Sequence, residues 1–394
     1  MPTIAGSGRS LSPDTQTAAT EAVRSALGSL GGARPAFGLV FASPKHDLAA
    51  ALAAAEKAAP GAVFSGCSTA GEITERGLTR GNLAALLVAS DETTVTLSTA
   101  PSVKADPAAA ARVLCAGFGP AAKAAAGRGL DMSTTVLLVD GLNGAGETLV
   151  AEVLKNTRAL QQVVGGAAGD DGAFKATTVG GRGRASTDAA AAMHAFSRKP
   201  WGVGVDHGLQ PTTARMRITR ASGNVVQQID GRPAFDVYKE YAAGRGVRLT
   251  PENAGPFLIA NELGVYMFNG LKKARAPLSV GADGSLTCAA EIPEGAHVSI
   301  LDGEPTQMIE AARRAAEEAH KNLAGNRAAA VILFDCVCRG MILNGNFGKE
   351  IEAVRSVFPD VPVAGLLTYG EIARFKGRLD GWHNTTAVVT AIPA

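Results

Sequence analysis

The segment GCSTAGEI (residues 66–73) follows a short apolar run and combines two glycines with thiol, hydroxyl and carboxylate side chains. A closely similar segment, GLLTYGEI, occupies residues 365–372. Glycine-rich turns after strands leave backbone N–H groups open to an anion or a ligand carboxylate, and a neighbouring acid suits an ammonium group. The repetition therefore raises the question of whether the turn is a duplicated binding element or a duplicated structural one.

Each turn closes a longer unit that the chain repeats. Residues 37–73, 135–171 and 330–372 each read as an apolar strand, a polar loop, an amphipathic helix, a second strand and a glycine turn with an acid. The middle copy ends in VGGAAGDD (residues 164–171). An alignment without gaps places Asp170 of this copy at the position of Glu72.

Internal duplication of an α/β layer explains this pattern best. We expect an α/β fold with two lobes, built from repeated strand–helix–strand units with mixed sheets and internal pseudo-symmetry. A polar, turn-rich stretch at residues 221–234 marks the expected boundary. The predicted divisions are an N-terminal extension and helix over residues 1–34, an N-terminal domain over 35–225 and a C-terminal domain over 226–394.

Two local predictions follow from the same patterns. Ser43 precedes Pro44 and is expected to cap the helix of the first unit. The alanine-rich stretch around His194 is expected to be helical.

The composition favours a soluble globular protein of the cytoplasm. The formal net charge is +2 and aromatic residues make up 5% of the chain, so neither a strong field nor a stacking surface points to nucleic acid. The N-terminus lacks the apolar core of a signal peptide, and no apolar run is long enough for a membrane span. Five cysteines without a secretion signal predict free thiols.

We expect the ligand-binding residues in the repeated turns and at the end of the first strand of the third unit. The candidates are Cys67, Ser68, Thr69, Gly71, Glu72, Gly165, Gly166, Asp170, Cys336, Arg339, Thr368, Tyr369, Gly370 and Glu371. The structural alternative is that the glycines permit close packing and the acids cap backbone turns.

The segment FDCVCRG (residues 334–340) contains a CxC pair, whose thiols share one face if the segment is extended. Such a pair can hold a soft metal, form a redox couple or fill a buried strand. Cys67 is a candidate nucleophile for a cysteine-dependent enzyme, although no histidine lies near it in the sequence. Because no complete nucleophile–base set or metal-ligand spacing is readable, we expect a binding module and not an enzyme.

Together, GCSTAGEI, VGGAAGDD, HGLQP, IDGRPAFDVY, FDCVCRG and TYGEI followed by HNTTAVV resemble the FIST family from about residue 35 to the C-terminus. The resemblance implies an intracellular sensory module of bacterial signal transduction that binds an amino acid or similar small polar molecule. It also implies output through a separate partner such as a histidine kinase.

One branch of the family binds haem and senses nitric oxide, so haem b is a possible cofactor. His207, within GVGVDHG (residues 202–208), is the expected iron ligand in that case, because the adjacent glycines allow a flat macrocycle to approach the backbone.

Overall fold

A computed structural model of the chain describes residues 1–158, 161–268, 270–375 and 381–394. It contains three units of similar connectivity and one inserted region. The first unit comprises β1 (Ile4–Ser10), α1 (Thr15–Gly28), β2 (Phe37–Ala42), α2 (Leu48–Ala58), β3 (Val63–Ser68), β4 (Glu72–Thr74), β5 (Gly77–Thr79) and β6 (Leu83–Ala89). The second comprises β7 (Thr93–Pro101), α3 (Pro107–Cys115), α4 (Phe118–Ala126), β8 (Met132–Val139), α5 (Gly146–Asn156), β9 (Gln162–Ala167), β10 (Val179–Gly181), β11 (Arg184–Ser186) and β12 (Ala189–Ser197).

The third unit begins with β13 (Gly202–Asp206) and resumes after the inserted region. The inserted region comprises β14 (Gln210–Pro211), β15 (Met216–Ser222), β16 (Val225–Ile229), β17 (Arg232–Pro233), α6 (Ala234–Ala243), α7 (Ala254–Ala260), β18 (Asn261–Tyr266), β19 (Lys272–Arg275), β20 (Pro277–Val280), β21 (Leu286–Cys288) and β22 (His297–Asp302). The third unit continues with α8 (Pro305–Asn322), β23 (Ala328–Cys336), α9 (Val337–Leu343), a 3₁₀ turn (Asn344–Asn346), α10 (Phe347–Val357), β24 (Val363–Thr368), β25 (Glu371–Arg374), β26 (Trp382–His383) and β27 (Ala387–Pro393).

The three units form three six-stranded sheets with one connectivity. Their strand orders are β1-β6-β2-β3-β10-β11 for sheet 1, β7-β12-β8-β9-β25-β26 for sheet 2 and β13-β27-β23-β24-β4-β5 for sheet 3. In each sheet a parallel pair joined by a helix lies beside an antiparallel strand. The predicted α/β fold of repeated strand–helix–strand units with mixed sheets is confirmed, and the shared connectivity is compatible with internal pseudo-symmetry.

Each unit donates the hairpin that follows its glycine turn to the sheet of another unit. The hairpin β4–β5 of the first unit extends sheet 3, β10–β11 of the second extends sheet 1, and β25–β26 of the third extends sheet 2. Strands from both sides of residue 225 therefore pair with each other in sheets 2 and 3. The division into two domains near this residue stays a prediction.

The inner faces of the three sheets meet in one central core. Phe41 of sheet 1, Leu138 of sheet 2 and Phe334 of sheet 3 all belong to it. Helices α1 and α2 cover the outer face of sheet 1, α3 and α5 that of sheet 2, and α8 and α10 that of sheet 3. The inserted region has its own nine-stranded sheet and its own apolar cluster with α6 and α7.

Two local predictions are wrong. The N-cap of α2 is Asp47, whose side chain accepts a hydrogen bond from the Ala50 amide, whereas the Ser43 hydroxyl donates to Asp171. His194 lies in β12, a fully buried strand between β7 and β8 and not a helix. Small side chains suit β12 because it is covered on both faces, so tertiary packing overrides alanine's helix propensity.

Among the described residues, no helix combines the length and the apolar character that crossing a membrane requires.

Candidate functional site

The three glycine turns meet at one end of the central core, where backbone hydrogen bonds join them in a ring. The amide of Ala70 donates to Leu367 O at 3.0 Å, that of Gly169 to Ser68 O at 3.0 Å, and that of Tyr369 to Ala167 O at 3.1 Å. Each unit thus donates to one neighbouring unit and accepts from the other. The repeated sequence builds a closed structural junction.

The strand register corrects the alignment of the three turns by one residue in the middle copy. Gly66, Gly165 and Gly365 occupy equivalent positions, since a Cβ at each would lie 2.4, 1.9 and 2.0 Å from a carbonyl oxygen of the adjacent parallel strand. Counting onward from these glycines places Asp171, and not Asp170, at the position of Glu72. Gly66 lies 26 residues after its strand partner Val40, whereas Gly165 lies 28 residues after Leu137, and an alignment without gaps cannot accommodate this difference.

Glu72 and Glu371 have closely matching surroundings. One oxygen of each carboxyl group accepts a hydrogen bond of 2.6 Å from the threonine three residues earlier. The other oxygen accepts from a backbone amide, that of Asn82 at 3.2 Å for Glu72 and that of Thr386 at 3.0 Å for Glu371.

Both carboxyl groups are buried, and burial raises the pKa of each to about 7. Because internal donors already engage their oxygens, an ammonium ligand would have to displace these hydrogen bonds. The predicted ligand-binding role of these two acids stays a prediction.

Asp170 organises the loop that follows the second turn. Its carboxylate accepts hydrogen bonds from the amides of Phe174, Lys175 and Ala176 and from the Tyr369 hydroxyl. Desolvation by itself would raise the pKa of Asp170, but these hydrogen bonds outweigh it and lower the pKa. Asp170 is therefore an ionised anchor that fixes the loop against Tyr369.

Arg339 is fully buried at the start of α9 and ties several elements together. Its Nε donates to Glu350 Oε1 at 2.9 Å, and its terminal nitrogens donate to the carbonyls of Met308 and His207, at 2.8 and 2.9 Å. Its Nε also lies 3.3 Å from Asp335. The guanidinium is occupied by the protein itself and acts as a structural cation.

A second buried contact joins the inserted region to the third unit. Thr385, which follows β26, donates a hydrogen bond to Glu262 of β18. Burial raises the pKa of Glu262 to about 8, and the nearby charge of Glu371 adds to the rise. The carboxyl groups of Glu371 and Glu262 thus lie close enough to interact across this contact.

An apolar cavity of about 350 Å³ lies between the third unit and the inserted region. Its lining comprises Phe174, Ile259, Ala276, Leu278, Ala289, Cys336, Val337, Cys338, Met341, Tyr369 and Asn384. Cys336 and Tyr369 are the two predicted binding residues that this cavity includes.

A smaller, more polar cavity of about 170 Å³ adjoins the first and shares Tyr369 and Ala289 with it. Asp140, Glu147 and Trp382 contribute to its lining. Glu147 is already paired with two cations of β19, Lys273 and Arg275. These two adjoining cavities, which lie along the seam between the core and the inserted region, are together called the cleft.

Comparison with known proteins agrees with this architecture. The FIST N domain matches residues 36–232, and the FIST C domain matches residues 234–374. The chain belongs to the FIST family. FIST domains are associated with sensory functions in signal transduction.

Similarity to curated relatives is partial. The chain is 25% identical over 191 residues to uncharacterized proteins of Mycobacterium bovis and Mycobacterium tuberculosis, which covers 46% of this chain and 48% of each relative. It is 32% identical over 78 residues to an uncharacterized protein of Methanocaldococcus jannaschii, which covers 20% of this chain and 15% of that relative. The chain thus spans about half the length of the mycobacterial relatives that it matches.

Several predicted residues of the FIST N domain lie away from the cleft. Cys67 belongs to the central core, and burial raises the pKa of its thiol far above the ordinary range, which disfavours a nucleophilic thiolate. The hydroxyl of Ser68 accepts from the Thr178 amide. Gly71 and Gly165 have φ of +154° and +148°, and this positive φ favours glycine at both positions because glycine has no Cβ.

The CxC pair is divided between two elements, because β23 ends at Cys336 and α9 begins at Val337. Within the described ranges, no group of three or more His, Cys, Asp or Glu side chains is arranged to hold a metal ion. Burial raises the pKa of the Cys336 thiol well above its usual value. Both cysteines of the pair line the apolar cavity.

The residues present do not fit the haem expected at His207. Nδ1 of this histidine accepts from the Leu209 amide at 2.9 Å, and Nε2 donates to the Lys272 carbonyl at 3.1 Å. Both ring nitrogens are therefore engaged within the protein. In the described part of the chain, the residues that line the two cavities of the cleft include no histidine.

Sequence reasoning missed most residues of the FIST cleft, among them Phe174, Ala289, Trp382 and Asn384. Asn384 belongs to the HNTTAVV segment that carries the family resemblance, and Trp382 directly precedes it, so this motif offered a signal for them. Phe174 and Ala289 reach the cleft only through the strand exchange and the packing of the inserted region, for which the sequence gives no local signal.

Proposed function

We propose that this FIST protein is a small-ligand sensor whose ligand binds in the cleft between the third unit and the inserted region, and that the occupied state acts on a separate signalling partner such as a histidine kinase. The observation that carries the proposal is the 350 Å³ cavity at this seam. Ligand sites lie preferentially between structural parts and usually have volumes of about 300–1,000 Å³.

The position of the cavity supports a sensory role. Its walls come from both sides of the seam, with Ile259, Leu278 and Ala289 from the inserted region and Val337 and Tyr369 from the third unit. A ligand that contacts both walls favours the arrangement in which they are closest. Such differential contact is what a ligand needs in order to shift a conformational equilibrium.

A blocking substitution tests the site. Ala289 borders both cavities, so Ala289→Phe should fill the shared part of the cleft. Leu278→Trp should obstruct the mouth from a solvent-exposed position and with less risk to folding. Ala124→Phe, at an exposed position on α4, is the matched control.

Thermal-shift measurements with amino acids, haem and small neutral aromatics should identify ligands that stabilise the parent protein. Isothermal calorimetry with each ligand should then show that both cleft variants lose affinity at least about tenfold while the control retains it. A ligand whose affinity is the same in all four proteins would place the binding site elsewhere. If the parent protein binds a ligand in the cleft, the effect of the protein on a candidate kinase is measured as kinase autophosphorylation with and without that ligand.

A further inference from the structure

The apolar cavity has almost no polar surface to offer a charged ligand. Among its described lining residues no side chain carries a charge, and the polar groups are the Asn384 amide, the Tyr369 hydroxyl and the thiols of Cys336 and Cys338. Of these, the Tyr369 hydroxyl already donates to Asp170. An ammonium or carboxylate group transferred into such surroundings would lose its hydration without gaining an opposite charge.

One polar atom of the cavity wall lacks a hydrogen bond. Asn384 is 2% exposed, and its Oδ1 has no partner among the described residues. A buried acceptor without a partner is energetically unfavourable, and a ligand N–H or O–H group would satisfy it once the amide turns its oxygen toward the cavity. This atom therefore points to a ligand with one hydrogen-bond donor.

The mouth of the cavity is apolar and partly closed by an aromatic side chain. Phe174, Leu278 and Met341 line the cavity and are 50%, 42% and 46% exposed, respectively. The Phe174 ring stacks on Tyr369 with a centroid separation of 4.6 Å and an interplanar angle of 11°.

The backbone holds Phe174 in place. Its φ of +52° is unusual for an aromatic residue, and the Asp170 carboxylate accepts the hydrogen bond of its amide. The loop thus presents an aromatic ring at the entrance at a cost in backbone strain, which is typical of sites that clamp a ligand.

We propose that the cavity binds a small, uncharged, mainly apolar molecule of one or two rings that carries a single N–H or O–H donor. This inference rests on the proposed sensory function and specifies its ligand as a neutral aromatic or alicyclic compound, in place of the amino acid that the sequence resemblance implies. A dry apolar cavity of about 150 Å³ accommodates benzene. The present cavity, at about 350 Å³, has room for a larger ring system.

Three probes of similar shape test the ligand class. Indole is apolar and has one N–H donor, indene has the same two-ring shape without the donor, and L-tryptophan adds the charged groups of an amino acid. Calorimetry on the parent protein should show indole binding roughly two- to tenfold more tightly than indene, as expected for one neutral hydrogen bond. L-Tryptophan should bind at least about tenfold more weakly than indole.

Two variants connect the preference to named side chains. Asn384→Leu should abolish the preference for indole over indene. Phe174→Ala should increase the dissociation rate of indole several-fold, whereas Phe268→Ala, at a fully exposed phenylalanine outside the cavity lining, should leave it unchanged. The comparison of indole with indene uses the parent protein and needs no substitution. It therefore tests the ligand class even if either variant fails to fold.

The outcomes separate this inference from the proposed function. Equal affinity for indole and indene, absence of binding by both, or binding of L-tryptophan as tight as that of indole would overturn the ligand class. If amino acids bind instead and Ala289→Phe abolishes their binding, the proposed site stands and only the ligand class fails. If the ligands found by thermal shift bind Ala289→Phe normally, the cleft itself is wrong.

Discussion

Replacement of Glu371 by glutamine should make the protein more stable above neutral pH. The carboxyl group is fully buried, and the hydroxyl of Thr368 donates to it at 2.6 Å. The same hydroxyl lies 3.2 Å from the Asp335 carbonyl, which provides it with a second acceptor. A glutamine Nε2 can therefore donate to Thr368 while its Oε1 accepts from the Thr386 amide, as the carboxyl does now.

The magnitude follows from the pKa of Glu371, which burial raises from 4.5 to about 7. Because the folded pKa exceeds the unfolded one, the folded protein holds this proton more tightly. The resulting stabilisation is complete below about pH 4.5 and is lost as the pH rises through about 7. A difference of about 2.5 pH units, at about 1.4 kcal/mol per unit, corresponds to roughly 3 kcal/mol.

Urea unfolding between pH 5 and pH 8.5 measures the effect, and the buried rings of Trp201 and Trp382 provide the fluorescence signal because unfolding exposes them to water. The free energy of unfolding of the Glu371→Gln protein, minus that of the parent, should increase with pH by roughly 3 kcal/mol. Glu352→Gln, at an exposed position on α10, should give a flat difference. A flat difference for Glu371→Gln as well, within about 1 kcal/mol, would refute the reasoning.

The remaining predictions concern buried structure. Arg339→Met should lower the free energy of unfolding by about 3–5 kcal/mol, because it leaves the buried carboxyl groups of Asp335 and Glu350 without their cation. Arg313→Met, on the exposed face of α8, should lower it by at most about 1 kcal/mol. Equal losses in urea unfolding would contradict the structural role of Arg339. Gly365→Ala should destabilise by roughly 3 kcal/mol, because its Cβ would meet a carbonyl oxygen at 2.0 Å, whereas Gly348→Ala, in open space on α10, should be neutral or slightly stabilising by the same assay. Cys67 should resist an aromatic disulfide reagent in the native protein and react only on unfolding, and rapid native-state labelling mapped to this thiol would restore it as a candidate nucleophile.

The exchange of hairpins has a consequence for the two FIST domains. Sheet 3 needs β4 and β5 from the N-terminal part of the chain, and sheet 2 needs β25 and β26 from the C-terminal part. The central strand β27, at Ala387–Pro393, lies beyond the region matched by the FIST C domain. The FIST N and FIST C matches therefore define regions of sequence similarity. They do not correspond to separate sheets, because sheets 2 and 3 each contain strands from both regions.

The sequence by itself predicted the α/β class, the three strand–helix–strand units and the acids at the first and third turns. These features are local, because hydrophobic periodicity and glycine-rich turns act within a few residues and recur in each copy. The same local reasoning failed at His194 and Ser43, where burial on both faces of a strand and a distant carboxylate outweighed local propensity.

Only the tertiary structure decided what the repeated turns do. Hydrogen bonds between Ala70, Gly169 and Tyr369 and their neighbouring units close the turns into a junction, and these bonds join residues as far apart as 297 positions, from Ala70 to Leu367. The cleft depends in the same way on contacts between Phe174, Tyr369 and the inserted region. Side chains that approach each other only after strands exchange between units give no periodic pattern in the sequence. The acids could therefore be predicted from the sequence, whereas the cavity could not.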